Sequence, residues 1–212
     1  MEIKNKKINF LGDSITEGDG VSSPDKKYVS VFERKYMPAA ARNYGICGTR
    51  IARQRVTCPQ FPDFFDFDFC SRVEKMDSDA DIVVVFGGTN DFAHGDAPMG
   101  KFTDRTPDTF YGACHTLMTS LIEKYPEAVI VFITPTHREG ENELIPPLCE
   151  YVNAIKECAN FYSIPVLDLF ATAGIYPQIK AHKEAFCPDG LHPNDKASEM
   201  IADKLANFLL RL

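Results

Sequence analysis

The stretch "IVVVFGGTND", residues 82–91, decides the fold class of this chain. Its apolar half is rich in β-branched residues and shows no polar alternation, which is typical of a strand buried on both faces of a parallel sheet. A Gly-Gly pair ends the run, and Thr89, Asn90 and Asp91 follow it. Because helices cover both faces of such sheets, this segment predicts an α/β fold.

Similar apolar segments occur before and after it in the chain. We predict strands at residues 8–11, 41–46, 82–86, 128–133 and 164–170. Helical patterns lie near residues 28–36, 110–122 and 148–162, and a last helix begins near Asn194 and carries apolar residues as far as Leu212. Asn194 is its expected N-cap, because Pro193 disfavours helical backbone just before it. In such alternating folds, ligands bind beyond the carboxyl ends of the strands.

The composition excludes several classes of protein. With 44% hydrophobic and 25% charged residues among 212, the chain is expected to form a single domain over residues 1–212. The net charge is −7 and no basic run is longer than "KNKK", so we expect no nucleic-acid partner. We also expect no membrane span, because no apolar segment is long enough. Seven cysteines without a Cys-x-x-Cys pair, and an N-terminus without a signal-peptide pattern, predict a cytoplasmic location.

Three predicted strand ends carry residues that are suited to binding a developing negative charge. Ser14 follows the first strand, where it would lie near the free N–H groups of the next helix. Gly48 follows the second strand and would present its backbone N–H with no side chain in the way. Asn90 follows the third strand and offers an amide donor. Taken singly, each has an ordinary structural explanation as a helix cap or turn residue.

The segment "CPDGLHPND", residues 187–195, supplies two further groups. Asp189 and His192 are three residues apart in a turn that proline and glycine enforce. The carboxylate can therefore hold one ring nitrogen while the other acts as a general base. A serine, a base, an orienting carboxylate and convergent oxyanion donors together predict acyl transfer.

The same four motifs identify a family. The segments "FLGDSITEG", "NYGICG", "GGTND" and "DGLHPN" resemble the four blocks of the SGNH-hydrolase superfamily, also called the GDSL lipase/acylhydrolase family, with Ile15 where the family name has Leu. These blocks span residues 10–194. The resemblance implies a flavodoxin-like three-layer α/β/α sandwich whose parallel sheet has about five strands in the order 2-1-3-4-5.

The resemblance also implies roles for the site residues. Ser14 would attack the acyl carbonyl, His192 would transfer the proton, and Asp189 would orient the histidine. The backbone N–H groups of Ser14 and Gly48 and the side-chain amide of Asn90 would form the oxyanion hole. The implied function is that of a serine ester hydrolase with an acyl-enzyme intermediate, acting on a small-molecule ester.

Residues that flank these motifs are candidates for substrate contacts, namely Asp13, Thr49, Asp91 and Phe92. No cofactor or metal is expected, and the one local pair of candidate metal ligands, His94 and Asp96, fits an exposed loop better. Because acidic residues surround the motifs, we expect a neutral substrate, such as an acetyl ester of a sugar.

Three alternative functions stay open at this point. The same triad could transfer the acyl group to an alcohol, as an acyltransferase does. A cysteine hydrolase could use Cys47 or Cys187 with His192. The chain could also be a carbohydrate-binding protein that lacks catalytic activity.

Two segments between the motifs are expected to shape specificity. Residues 58–70, the Phe-rich segment, contain five phenylalanines. They form either a lid or platform over the site or a cluster packed onto the sheet, and packing is favoured because exposed aromatic rings promote association. Residues 92–107 follow Asn90 directly and are expected to form a wall of the pocket.

Overall fold

The computed structural model describes residues 1–57 and 59–212, so Cys58 at the start of the Phe-rich segment lies outside the described residues. The described strands form one parallel sheet and are β1 (Lys7–Gly12), β2 (Ala40–Gly45), β3 (Ile82–Phe86), β4 (Val129–Ile133) and β5 (Val166–Leu167). Their order across the sheet is β2-β1-β3-β4-β5, as predicted. This order puts β1 between β2 and β3, so three motif-bearing strands are neighbours.

Helices connect the strands and cover the sheet. In chain order they are α1 (Ser14–Glu17), α2 (Tyr28–Tyr36), α3 (Phe69–Arg72), α4 (Thr89–His94), α5 (Phe110–Lys124), α6 (Leu148–Phe161), α7 (Leu169–Thr172), α8 (Lys180–Phe186) and α9 (Asp195–Leu209). Short 3₁₀ turns lie at Pro24–Lys26, Asp63–Asp66 and Val73–Lys75. No helix within the described residues is long and apolar enough to cross a membrane.

Two hydrophobic cores lie on opposite faces of the sheet. Along β3, Val83 and Val85 point into one core and Val84 and Phe86 into the other, as the two-residue period of a strand requires. Helices α5 and α6 cover the first core, whereas α2 and α9 cover the second. The predicted three-layer α/β/α architecture is therefore confirmed.

The predicted elements agree with the structure except near the C-terminal part of the chain. The expected strand over residues 164–170 is wrong in extent, because only Val166 and Leu167 pair with β4. Asp168 ends the strand by capping α7, since its carboxylate accepts a hydrogen bond from the backbone N–H of Ala171 at 3.1 Å. The predicted cap of α9 is confirmed, because Asn194 Oδ1 accepts a bond from Ala197 N at 3.1 Å, but the helix ends at Leu209 rather than Leu212.

Candidate active site

The carboxyl ends of β1, β2 and β3 meet at one edge of the sheet. In the strand register, Gly12 at the end of β1 pairs with Gly45 on one side and with Phe86 on the other. The loops that leave these strands therefore lie side by side. Such an edge, where neighbouring connections diverge, forms a crevice in doubly wound sheets.

Ser14 lies in this crevice at the first position of α1. Asp13 caps the helix, because its Oδ1 accepts a hydrogen bond from the backbone N–H of Ile15 at 3.0 Å. Only 2% of Ser14 is exposed. Its Oγ lies 3.0 Å from Nε2 of His192, a residue 178 positions later in the chain. The fold thus brings together a hydroxyl and an imidazole from opposite ends of the sequence.

The histidine is held by its own loop, residues 189–192, which we call the histidine loop. His192 Nδ1 lies 2.6 Å from Asp189 Oδ2, and Asp189 Oδ1 accepts hydrogen bonds from the backbone N–H groups of Leu191 at 2.9 Å and His192 at 2.7 Å. Burial alone would raise the pKa of Asp189, but these hydrogen bonds outweigh it and hold the pKa below its usual value. The carboxylate is therefore ionised at neutral pH and can orient the imidazole.

Three hydrogen-bond donors lie at the same edge of the sheet. Among the described residues, no acceptor takes a hydrogen bond from the backbone N–H of Ser14 or of Gly48. Gly48 adopts a φ of +75°, which favours glycine. Asn90 Nδ2 donates one of its hydrogens to Thr49 O at 3.0 Å, which fixes the amide next to Gly48 and leaves its other hydrogen available.

A sequence profile of the GDSL-like Lipase/Acylhydrolase family matches residues 10–200. The chain belongs to this family. It is accordingly a GDSL-type ester hydrolase, as the motifs predicted. Among curated proteins, none matches the sequence.

Solved structures share the fold of this chain. One structure with 32% sequence identity covers 100% of this chain and 99% of its own, with a TM-score of 0.86. A Lactobacillus plantarum protein is 29% identical, covers 99% of this chain and 98% of its own, and has a TM-score of 0.85. The lipase/acylhydrolase from Enterococcus faecalis is 24% identical over 95% of this chain and 94% of its own, and its TM-score of 0.67 shows the same fold.

Two buried side chains fix the loop that carries Gly48 in this GDSL hydrolase. The carboxylate of Asp91 accepts hydrogen bonds from the backbone N–H groups of Ile51 at 2.9 Å and Ala52 at 2.8 Å. Arg72 donates to Gly12 O at 3.2 Å, to Thr49 Oγ1 at 2.8 Å and to Tyr44 O. The guanidinium thus connects the ends of β1 and β2 to the residue after Gly48.

Burial changes the charge of the acidic and thiol groups around the crevice. It raises the pKa of Asp13 to about 7 and that of Asp91 to about 6, although backbone hydrogen bonds oppose both shifts. Burial also raises the pKa of Cys47 and that of Cys187 to about 12, so both thiols are protonated at neutral pH. The crevice is therefore less anionic than its sequence suggests.

The candidate metal ligands are engaged within the protein. His94 Nδ1 lies 2.9 Å from Arg50 Nη1, and Asp96 accepts hydrogen bonds from the backbone N–H groups of Arg55 and Val56 at 2.7 Å each. Residues 1–57 and 59–212 contain no group of three or more His, Cys, Asp or Glu side chains that could hold a metal ion. His94 and Asp96 thus anchor neighbouring segments of the chain.

The Phe-rich segment divides between the two expected arrangements. Phe69 is fully buried in the core, whereas Phe61, Phe64 and Phe67 are 47%, 43% and 37% exposed. Phe65 lies against Gly48 and stacks on His94. Part of the segment therefore packs onto the sheet, and part of it borders the crevice.

The second segment, residues 92–107, follows the crevice only at its start. Phe92 packs beside Tyr151 with ring centroids 6.1 Å apart. Further on, Phe102 packs against His115 and Phe161, which belong to α5 and α6. The later half of this segment thus extends away from Ser14 along the helical layer.

Sequence reasoning assigned no individual role to Arg50, Phe65 or Arg72. Arg72 and Phe65 lie in no motif, and their partners are distant in sequence. The only available signal for Arg50 was its position two residues after Gly48.

Proposed function

We propose that this GDSL hydrolase cleaves a small, neutral acyl ester, such as an acetyl ester of a sugar, with Ser14 as the nucleophile. Ser14 Oγ attacks the acyl carbon while His192 Nε2 accepts the hydroxyl proton. The same histidine then protonates the departing alcohol, and an acyl-enzyme on Ser14 is left. Water, activated by His192, hydrolyses this ester bond and frees the serine.

One observation carries the proposal. The chain of contacts from Asp189 Oδ2 to His192 Nδ1 at 2.6 Å, and from His192 Nε2 to Ser14 Oγ at 3.0 Å, is the relay that activates a weak hydroxyl nucleophile. It joins two motifs that are far apart in the sequence. Asp13 rather than Ser14 caps α1, so capping does not account for the contact between the serine hydroxyl and His192.

The oxyanion hole is assigned to the N–H groups of Ser14 and Gly48 and to the side-chain amide of Asn90. Their availability and common location support this role, because an oxyanion needs donors that are already oriented before the charge develops. We assign supporting roles to Asp13, Thr49 and Asp91, whose polar atoms bind other protein groups.

The residues around the proposed oxyanion hole support a neutral substrate. Burial and the charge of Arg50 lower the pKa of His94 to about 4, so this ring is uncharged at neutral pH. Its neighbour Phe65 is apolar, and burial leaves Asp13 partly protonated at neutral pH, whereas Asp91 stays mostly ionised. Phe92 is 6% exposed and packs against Tyr151 in the hydrophobic core.

Labelling with a serine-directed phosphonate tests the proposal against the cysteine alternative. We expect inactivation of p-nitrophenyl acetate hydrolysis in step with one adduct on Ser14, located by peptide mass spectrometry. The Ser14→Ala variant should neither hydrolyse the ester nor take up the label. Inactivation by thiol reagents alone, with an adduct on Cys47 or Cys187, would contradict the proposal. Product analysis with added methanol separates hydrolysis from transfer to an alcohol.

A further inference from the structure

Phe65 occupies the space beside Gly48. A Cβ atom placed on Gly48 would lie 1.9 Å from Phe65 Cε2 and 2.0 Å from Phe65 Cδ2, which no real side chain could tolerate. The edge of the phenylalanine ring is therefore in contact with the backbone of the glycine. Any group that reaches the N–H of Gly48 lies next to this ring.

His94 extends the same surface towards Asn90. The two residues are four positions apart in α4, so they lie on the same face of the helix. The ring of His94 stacks on Phe65 with centroids 5.1 Å apart and an interplanar angle of 23°. The ring pair, Phe65 and His94, thus runs beside two of the three proposed oxyanion donors.

A buried guanidinium fixes this ring pair. Arg50 is 1% exposed, and its Nη2 donates to Phe65 O at 3.1 Å and to Asp66 Oδ1 at 3.0 Å. Its Nη1 lies 2.9 Å from His94 Nδ1, and the guanidinium carbon lies 5.4 Å from the centre of the Phe65 ring. The single buried side chain of Arg50 therefore fixes the positions of both Phe65 and His94.

The position of the histidine loop indicates which part of the ester meets the ring pair. His192 must protonate the leaving alcohol, so the alcohol departs on the side of the histidine loop. That loop contacts Glu139, whose backbone N–H donates to Gly190 O at 2.8 Å, and lies close to Gly20. The carbonyl oxygen binds the donors beside Gly48, so we place the acyl substituent in the remaining direction, away from His192 and past the ring pair that borders Gly48.

We propose that Phe65, backed by His94 and held by Arg50, limits the length of the acyl group to acetyl and similarly short chains. This inference rests on the proposed function, because it requires an acyl group at Ser14. The ring stands where a longer acyl chain would have to pass beside Gly48. Phe65 is thus a specificity-determining residue rather than a part of the proton relay.

The test compares Phe65→Ala with Phe67→Ala. Phe67 belongs to the same segment, but it is 37% exposed and its ring lies 4.9 Å from Lys75 Nζ. We measure kcat/KM for p-nitrophenyl acetate, butyrate, hexanoate and octanoate. Phe65→Ala should raise the ratio of hexanoate to acetate by about tenfold or more, since each added methylene then finds room in an apolar space. Phe67→Ala should leave the ratio unchanged within about twofold.

The outcomes separate the two proposals. A wild-type protein that cleaves no ester would overturn the proposed function itself. If the wild type is active but prefers octanoate, or if both variants change the ratio equally or not at all, the limit set by Phe65 is wrong. Phe65→Leu is the control for collapse of the site in Phe65→Ala. Because leucine removes less volume, this variant should show an intermediate ratio of hexanoate to acetate. Its thermal unfolding midpoint should stay near that of the wild type.

Discussion

The proposed nucleophile and oxyanion donors lie in a buried part of the molecule whose segments are hydrogen-bonded to one another, whereas the proposed base, His192, comes from a half-exposed loop. We call the first region, residues 12–14, 48–52 and 89–91, the oxyanion side. Arg72 and Asp91 connect its separate segments through buried hydrogen bonds. In the histidine loop the side chain of Asp189 is 52% exposed and that of His192 is 20% exposed.

This difference follows from what each region must do. Oxyanion donors stabilise a transition state only if they point at the developing charge before it forms, which requires fixed backbone from several segments. The histidine needs one correct orientation, and a carboxylate three residues away supplies it locally. Substitutions in the oxyanion side should therefore reduce both stability and activity, whereas those in the histidine loop should reduce activity alone.

The largest expected effect is that of His192→Ala. Loss of the proposed base should lower kcat by about 10⁴-fold or more, with a change of less than about 1 kcal/mol in the free energy of unfolding. His182→Ala is the control, because His182 lies in α8 and accepts a hydrogen bond from Tyr176 N. The double variant with Ser14→Ala should be no worse than either single variant, since the two groups act as a unit. If the double variant instead loses the product of the two single-variant factors in kcat, the two residues do not act as a unit.

Asn90→Ala should have a smaller effect on kcat and should also lower the stability of the protein. Loss of one oxyanion donor should lower kcat by about 10²- to 10³-fold. It also leaves Thr49 O without its partner, which should cost about 1 kcal/mol of stability. Asn153→Ala, at an exposed position on α6, is the control for kinetics and urea denaturation. An unchanged kcat would remove Asn90 from the proposed mechanism.

Arg72→Met should affect stability more than chemistry. It removes the donor that Gly12 O, Tyr44 O and Thr49 Oγ1 share, although Gly12 O keeps its bond from Ile46 N, so we expect a loss of about 2–3 kcal/mol. Below the unfolding transition, kcat should fall by about tenfold or less, because the donors themselves remain. Arg211→Met at the exposed C-terminus is the control. If the two variants are equally stable in urea, Arg72 does not stabilise the protein by connecting the ends of β1 and β2 to Thr49.

The smallest expected effect is a change in pH dependence for Asp13→Asn. Burial raises the pKa of Asp13 from 3.8 to about 7, so the folded protein keeps a proton that the unfolded chain releases between these values. The free energy of unfolding of the wild type, taken relative to that of Asp13→Asn, should therefore fall as pH rises through this range and level off above it. Asparagine cannot titrate, so the variant should lack this contribution, which is about 1 kcal/mol per pH unit.

Asp91 provides the internal control for this measurement. Because burial raises its pKa to about 6, part of the slope should persist in Asp13→Asn below that pH. The signature of Asp13 is thus the slope between about pH 6 and 7, measured by urea denaturation across the range. If the difference in unfolding free energy between the wild type and Asp13→Asn does not fall between about pH 6 and 7, Asp13 is not protonated in the folded state.

The same comparison explains what could be predicted from the sequence. The histidine loop is local, so the spacing of Asp189 and His192 already indicated their contact. The strand order and the three-layer fold followed from the apolar runs and the family resemblance. The extent of β5 could not be predicted, because Asp168 caps a short helix within an otherwise apolar run.

The supports of the oxyanion side could not be predicted for a different reason. Arg72 reaches residues 23 to 60 positions away, and Arg50 donates to the backbone oxygen of Phe65, 15 positions later. No periodicity or motif records such pairings, since they depend on how a whole loop packs. Burial, which sets the pKa of Asp13 and that of Asp91, is likewise a property of the folded chain.

A crystal structure of the phosphonate-inactivated protein tests the central claim most directly. Phosphorus should be bonded to Ser14 Oγ, with one phosphoryl oxygen about 2.7–3.1 Å from Ser14 N, Gly48 N and Asn90 Nδ2, and with His192 still beside the serine. A phosphoryl oxygen that points to solvent, or an adduct on any other residue, would contradict the account.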